Sequence, residues 1–297
     1  MDISIIIVNY NTTSFVRACI DSIYRHTTGV LFEILVVDNA SSDRSILELE
    51  QQFPDIQLIL LDENRGFGAA NNVAIEKAGG EFVFLLNPDT ELVMNAGAAF
   101  VDFMRDPMNA HVGVCGAHLF TGSGKGTPSY GNFPSLLQSI SSCGFYLLYT
   151  NYYRRKLDTG VNNTVMHTRE VDFVSGAVMC IRKKILTYSG AFDTDFFLYF
   201  EETELCKRIR TIGHSIVLIP SIQVLHHEGG STADTTFNAF GFYHFERSRR
   251  LYYRKVYGNW YVFLASPFDF IGMLLKAVFG KERGNVWRKV GLFFGKY

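Results

Sequence analysis

The sequence predicts an α/β fold with a mostly parallel central sheet flanked by helices, followed by a helical C-terminal tail. Two observations carry this expectation. Over the first ~120 residues, short apolar runs alternate with stretches of helical periodicity, the pattern of βαβ units. The runs IIIV (5–8), ILVV (34–37) and VFLL (83–86) are continuous, as strands buried on both faces must be.

Residues 4–8 form the first strand. A helix follows over about 14–27, where Phe15, Ala18, Cys19, Ser22 and Ile23 recur at helical spacing. The spacing then predicts a strand at 33–37, a helix at 45–53, a strand at 56–61, a helix at 68–78 and a strand at 82–86. From 121 to 168 the pattern breaks, and GSGKGTPSYGNFPS (122–135) has the composition of a loop. The aromatic stretch 136–153 is suited to covering an acceptor. Residues 171–181 read as one strand, a helix opens at Glu201, and 215–219 and 224–226 read as further strand segments.

The tail has a different character. Residues 245–258 are helical in pattern and rich in Arg and Tyr, while 259–280 are apolar but interrupted by Pro267, Asp269 and Lys276. A spanning helix needs about 20 mostly uncharged residues, so a transmembrane segment is not expected. Basic residues together with Trp260, Phe263, Phe268, Phe270 and Trp287 fit an amphipathic helical pair lying on a membrane surface. The expected division is a main domain at 1–240 and a basic aromatic helical region at 241–297.

The formal net charge of −1 gives no field favouring nucleic acid. That average hides an asymmetry: residues 245–297 hold eleven Lys and Arg against three acids, a net of +8. The five cysteines form no CxxC pair, so neither a zinc site nor a redox motif is expected, and reduced thiols in a cytosolic protein follow. The apolar stretch before Asn9 is too short for a secretory signal.

Open parallel sheets bind ligands beyond the carboxyl ends of their strands. The polar residues at those ends are Asn9 and Asn11, Asp38 to Asp43, Asn64 to Asn71 with Gly66 and Gly68, and Asn87-Pro88-Asp89. Turn formation alone accounts for many such Asn, Asp and Gly residues. GFGAAN lacks the third glycine of a dinucleotide fingerprint and follows the third strand, which disfavours a nicotinamide enzyme. Further on, Glu201, Glu202 and Glu204 open a helix behind Phe196, Phe197, Leu198, Tyr199 and Phe200. Carboxylates so placed either favour the helix dipole or, raised by desolvation, serve as general bases.

Seven segments in order carry a resemblance: VNYN (8–11), VVDNASSD (36–43), NRGFGAANN (64–72), LLNPDTEL (85–92), VSGAVMCIRK (174–183), FDTDFFLYFEETELCKR (192–208) and HHEGGST (226–232). Together they resemble the family 2 glycosyltransferases, most of all the rhamnosyltransferase-like bacterial branch, over roughly residues 3–232. The resemblance implies a GT-A nucleotide-sugar-binding fold. It implies that Asp38 bonds the base, that Asn9 and Asn11 lie near the nucleoside, and that Asn64, Gly66 and Asn71 lie near ribose and diphosphate. Asn87-Pro88-Asp89 stands where the family has DxD, so Asp89 becomes a ligand of Mn2+ or Mg2+, with one carboxylate fewer than usual.

His226, about 24 residues beyond Glu202, stands at the family's further ligand; adjacent residues on extended chain point oppositely, so one of His226 and His227 is expected to reach metal, and His226 is preferred. Glu202 stands where the family usually has the Asp base, one methylene longer; Glu201 is the alternative base or its orienting neighbour. Gly176 and Ala177 would line the donor sugar, while Asp193 and Asp195 read as turn and cap residues. The resemblance implies inverting transfer of a sugar, L-rhamnose by the branch, from a dTDP- or UDP-type donor. The acceptor would be a surface glycan, polyprenyl-diphosphate-linked, at the inner face of the cell membrane. A nucleotide-sugar hydrolase and a non-catalytic nucleotide-sugar-binding subunit are the competing readings.

Overall fold

Six apolar and small residues followed by Asn9 make the first strand, and every one of the seven is buried. The computed structural model describes residues 1–164, 166–227, 237–279 and 285–295. The chain begins β1 (Ile3–Asn9), α1 (Thr13–His26), β2 (Phe32–Asp38), α2 (Glu48–Gln52), β3 (Ile56–Leu60), α3 (Phe67–Lys77) and β4 (Phe82–Leu86). It continues β5 (Thr90–Leu92), α4 (Ala96–Arg105), β6 (Val112–Phe120), β7 (Pro128–Gly131), α5 (Leu136–Ser142) and α6 (Thr150–Lys156). Next come β8 (Val161–Asn162), β9 (Arg169–Glu170), β10 (Phe173–Val174), β11 (Val178–Arg182), α7 (Lys183–Ser189), α8 (Glu201–Thr211) and β12 (Ser215–His226). The described chain closes with α9 (Ala239–Tyr257), α10 (Asn259–Phe279) and α11 (Val286–Phe293).

Among the described residues the main sheet runs β3-β2-β1-β4-β11-β6-β12-β5, with β9 on β12. Strands β3 to β4 along this order are parallel, as the βαβ alternation requires. Beyond them the sheet is mixed, because β11 enters antiparallel between β4 and β6. Side-chain alternation splits the core in two. Ile3, Ile5 and Ile7 join Phe82, Phe84 and Leu86 beneath α1 and α4, while Ile6, Val8, Val83 and Leu85 face α3, α7 and α8.

Four expectations change. The predicted strand at 171–181 is two strands: β10 leaves the main sheet to pair with β7, and a turn at 175–177 leads into β11. Gly116 in β6 permits this, since a Cβ there would lie 2.6 Å from the Val174 side chain. The segments at 215–219 and 224–226 are one strand, β12, whose register against β6 shifts between Ile219 and Gln223 around Pro220. Within the loop expected at 122–135, residues 128–131 form β7, which pairs with β8 and β10, and the aromatic stretch after it folds as α5, a tight 3-10 turn at 145–149 and the start of α6.

The fourth change concerns the tail, which has three described helices instead of a pair. Pro267 lies inside α10 without ending it, and by length and composition this helix is long and apolar enough to cross a membrane. Its inner face is committed to the protein. Gly272 packs on Ser142 of α5, and buried Asp269 sits 3.2 Å from Arg249 of α9. Arg249 also pairs with buried Glu246, so each charge is compensated within the helix pair. A third core, of Phe196, Phe200, Tyr252, Tyr253, Tyr261 and Ala265, joins these helices to the loop before α8.

Candidate active site

The carboxyl ends of β1 and β2 are locked together by side chains. Asn9, fully buried, donates from Nδ2 to Asp38 Oδ1 (2.7 Å) and Ser41 Oγ (3.0 Å), and its Oδ1 accepts from the Thr12 amide and hydroxyl. Ser41 Oγ donates to Asp38 Oδ1 at 2.6 Å, and the Ser41 amide donates to Oδ2. Asn11 accepts from the Ser42 amide at 2.8 Å. One residue after Asp38, Asn39 donates to Asn64 Oδ1 (2.9 Å) and accepts from the Arg65 amide (2.9 Å). The β2 end is thereby tied to the loop that enters α3.

That loop is fastened to the acidic segment. Gly66 has φ +82°, and a Cβ on it would stand 2.2 Å from the Phe197 carbonyl oxygen. The close approach that requires glycine is therefore to the protein's own backbone. The Phe67 amide donates to that carbonyl at 3.0 Å. Asn72 holds both main-chain groups of Phe192, donating at 2.8 Å and accepting at 2.9 Å. From the other side, Ser248 of α9 donates to the Leu198 carbonyl, and Lys255 reaches Asp193 (2.5 Å) and Asp195 (2.6 Å). Asp193 and Asp195 are thus structural anchors as well as turn residues.

So clamped, the chain makes an abrupt entry into α8. Tyr199 and Phe200 both have φ +68°, a left-handed conformation that is costly for aromatic residues. Of the five non-glycine residues with positive φ among those described, four (Asn11, Ala40, Tyr199 and Phe200) lie on this rim. The kink delivers Glu201 and Glu202 at the first turn of α8. Glu201 is 4% exposed and its Oε2 has no hydrogen-bond partner. Burial first, and then the neighbouring Glu202, push the Glu201 carboxyl well above the ordinary range. Glu202 is half-buried and raised by burial, and Gly176 faces its side chain, a Cβ there falling 3.6 Å from Glu202 Cβ. Glu204 instead grips Arg208 through both oxygens, at 2.6 and 2.9 Å, and Arg208 in turn bonds the carbonyls at 189–191.

The end of β4 completes the rim. The Asn87 amide donates to the Ala177 carbonyl at 2.9 Å, and its buried Oδ1 is unpartnered. Antiparallel pairing of β5 with β12 sets His226 opposite Thr90. His226 Nε2 stands 3.5 Å from Asp89 Oδ1, while its Nδ1 is buried without a partner. His227 turns to Glu91, at 2.7 Å. Among the described residues no three His, Cys, Asp or Glu side chains converge. Asp89 and His226 make a pair of donor side chains, and the unpartnered His226 Nδ1 and Asn87 Oδ1 leave polar capacity beside it. An oxygen and an imidazole at this separation fit a hard or borderline divalent cation.

The residues singled out from sequence are joined in one arc. Asn9 meets Asp38, Asn64 reaches Gly66 through its amide, Glu202 lies against Gly176, and Asp89 meets His226. The acidic pair and the Asp89–His226 pair are linked through main chain, at Asn87 and Ala177. Asn71 is turned back on α3, donating to the Phe67 carbonyl. The residues not assigned from sequence are Ser41, Asn39, Asn72, Ser248 and Lys255. Asn39 and Asn72 lie inside the conspicuous segments 36–43 and 64–72, which was their available signal. Gly229, Gly230 and Ser231, noted after the histidines, lie outside the described residues.

Residues 4–185 match the profile of Glycosyl transferase family 2, which covers more than half the chain. The chain is 26% identical over 215 residues to N-acetylglucosaminyl-diphospho-decaprenol L-rhamnosyltransferase of Mycobacterium tuberculosis, covering 67% of each. It is 24% identical over 232 residues to rhamnosyltransferase WbbL of Escherichia coli K12, covering 75% of this chain and 82% of that one. Among solved structures, GalNAc-T7 with UDP, GalNAc and Mn2+ superposes with a TM-score of 0.63 at 14% identity, over 98% of this chain. This chain covers 54% of that one, and at such identity the likeness concerns the fold, which is GT-A. The matched segment runs from β1 into α7 and carries the rim at the ends of β1, β2 and β4, so the chain belongs to glycosyl transferase family 2 and is a glycosyltransferase.

Proposed function

We propose that this enzyme moves L-rhamnose from a dTDP- or UDP-type donor to a hydroxyl of a polyprenyl-diphosphate-linked glycan acceptor, inverting the anomeric centre. The observation that carries the reading is the arc from Asp38 through Asp89 and His226 to Glu202 along one rim of the sheet. The rhamnosyltransferase names of the two relatives support the sugar, and the mycobacterial name supports the acceptor.

In this reading Asp38 reads the base, and Asn9 and Ser41 hold its carboxylate in place. Asn11, Asn64, Gly66, Asn71 and Asn87 shape the nucleoside and diphosphate side, with Gly176 and Ala177 beside the sugar. Asp89 and His226 hold a divalent cation, Mn2+ or Mg2+, which when bound neutralises charge on the departing diphosphate. Glu202 takes the proton of the acceptor hydroxyl as that oxygen bonds the anomeric carbon. The bond from that carbon to the diphosphate oxygen breaks, and the nucleoside diphosphate leaves with the electron pair. Glu202 is the base because it is the more exposed of the pair and lies against Gly176; Glu201, buried and pushed upward by that burial, steadies it. Low-dielectric surroundings raise the Glu202 basicity needed for this.

Residues 1–240 are the catalytic domain and 241–297 a support resting on the inner face of the membrane from the cytoplasm. Trp260 (62%), Phe263 (82%) and Trp287 (86%) are exposed on it, as an interfacial helix surface requires. The test is a thermal-shift screen of dTDP-, UDP- and GDP-sugars with Mn2+, followed by a transfer assay on a lipid-linked acceptor. Stabilisation by dTDP-rhamnose with transfer supports the reading. A response confined to UDP-hexoses overturns the donor, and donor hydrolysis as fast as transfer overturns the reaction.

A further inference from the structure

A second polar site lies at the far end of the helix that presents the catalytic carboxylates. A cavity of about 1060 Å³ collects Arg154, Arg155 and Lys156 from the end of α6, Arg169 from β9 and Arg210 from the end of α8. Basic residues at a helix end favour its dipole, which accounts for those of α6 taken alone. It does not account for convergence from three separate elements. Three carboxylates also line the cavity, so its cations outnumber its acids by two: Asp172 pairs with Arg210 at 2.5 Å, Glu170 accepts from Ser215, and Asp158 accepts from the Gly160 amide. The Asp158 carboxyl is pushed upward by burial, against the pull of Lys276 and Arg154. Arg169 lies over the Tyr130 ring, 4.5 Å from its centroid, and its buried Nε has no partner. Among the described residues, Arg155 and Lys156, both exposed, pair with no carboxylate.

Immediately before α6, the 3-10 turn at 145–149 exposes Phe145 (52%), Leu147 (69%) and Leu148 (82%). Cys143, at the end of α5, bonds the Phe268 carbonyl, so this apolar shelf sits beside α10 with its own exposed Phe263, Ile271 and Phe279. An apolar ledge opening beside a net-basic cavity is complementary to an amphiphile with a compact, multiply charged head. Along α8, Glu202 and Arg210 are eight residues apart, about 12 Å at the helical rise. That span suits one sugar ring and a diphosphate between the reacting hydroxyl and the anion site.

We infer that this cavity holds the diphosphate of the polyprenyl-linked acceptor while its isoprenoid chain lies over the 145–149 turn and α10. The inference rests on the acceptor class of the proposed function and assigns it a place. Arg154, Arg155 and Lys156 supply charge at the mouth. Arg169, held over the Tyr130 ring, and Arg210, paired with Asp172, supply oriented guanidinium donors at its wall.

The test uses the full chain and vesicles of neutral phosphatidylcholine, alone, doped with undecaprenyl diphosphate, or doped with phosphatidylglycerol to equal charge. Undecaprenyl diphosphate is expected to raise the bound fraction about tenfold or more, with phosphatidylglycerol doing less. Inorganic pyrophosphate should compete. R155E/K156E should abolish the diphosphate-specific gain while leaving the thermal shift by nucleotide-sugar unchanged, and L147D/L148D should weaken binding to every vesicle. Equal binding to both charged vesicles, or an unaffected R155E/K156E variant, overturns the diphosphate site. Loss of nucleotide-sugar response in the unmodified protein would instead count against the proposed function.

Discussion

His226 Nε2 stands 3.5 Å from Asp89 Oδ1, although the two residues are far apart in the chain. The contact exists because β12 shifts register near Pro220 and carries its last residues to β5, where His226 faces Thr90. His227, the next residue, goes to Glu91. If the first pair holds the cation, Asp89→Ala and His226→Ala each lower transfer by about 10²–10³-fold, the scale of losing a transition-state charge contact. His227→Ala has a much smaller effect. EDTA should silence the unmodified enzyme and Mn2+ restore it. Activity indifferent to EDTA, or equal losses at His226 and His227, contradicts the assignment.

The buried Glu201 gives stability a definite pH dependence. Its folded-state pKa is raised by burial and by Glu202, so the folded protein holds a proton that the unfolded chain releases near the ordinary carboxylate value. The stability this group contributes is complete below that value and is lost as pH rises through the folded one. Glu201→Gln, which keeps shape without charge, should remove that slope. At pH 8 it should stabilise the protein by about 1 kcal/mol, a rise in Tm of about 2 °C. Thermal melts from pH 4 to pH 8 check this, and a Gln variant less stable at pH 8 contradicts it.

Gly66 joins two parts of the site through backbone alone. Gly66→Ala forces a Cβ to 2.2 Å from the Phe197 oxygen at a φ of +82°, so both space and conformation oppose it. A loss of about 2–4 kcal/mol in denaturant melts is expected, with transfer falling further because the Tyr199–Phe200 kink moves. Asn72→Ala, which releases Phe192, should lower kcat more than it lowers stability. Unchanged kinetics in Asn72→Ala would show that the acidic segment does not depend on α3 for its placement.

Local patterns made the parallel half of the sheet legible. IIIV, ILVV and VFLL announce buried strands, and the polar residues after each announce the rim. The second half was not legible because its determinants are distant. Nothing local at 171–181 says that Gly116 makes room for Val174, and nothing at 220 says that a register shift will deliver His226 to Asp89. Asn72 looked like one more residue of an Asn-rich segment until the fold set Phe192 against it. The helical character of the tail was legible, but the number and continuity of its helices were not. Pro267 and Asp269 look like interruptions, yet the helix continues, and Arg249 compensates the buried carboxylate. Glu204 lies on the face of Glu201, three residues on, and about 200° round the helix from Glu202, so position alone did not set it apart; its grip on Arg208 does.

The most direct measurement is the rate of sugar transfer by Glu202→Gln at saturating donor, beside nucleotide-sugar affinity in the same variant. Glu202→Gln should transfer at least about 10³-fold more slowly with donor affinity within a few-fold of the unmodified enzyme, because only the proton acceptor is lost. Glu202→Gln with transfer near the unmodified rate, or Glu201→Gln inactive in its place, contradicts Glu202 as the base.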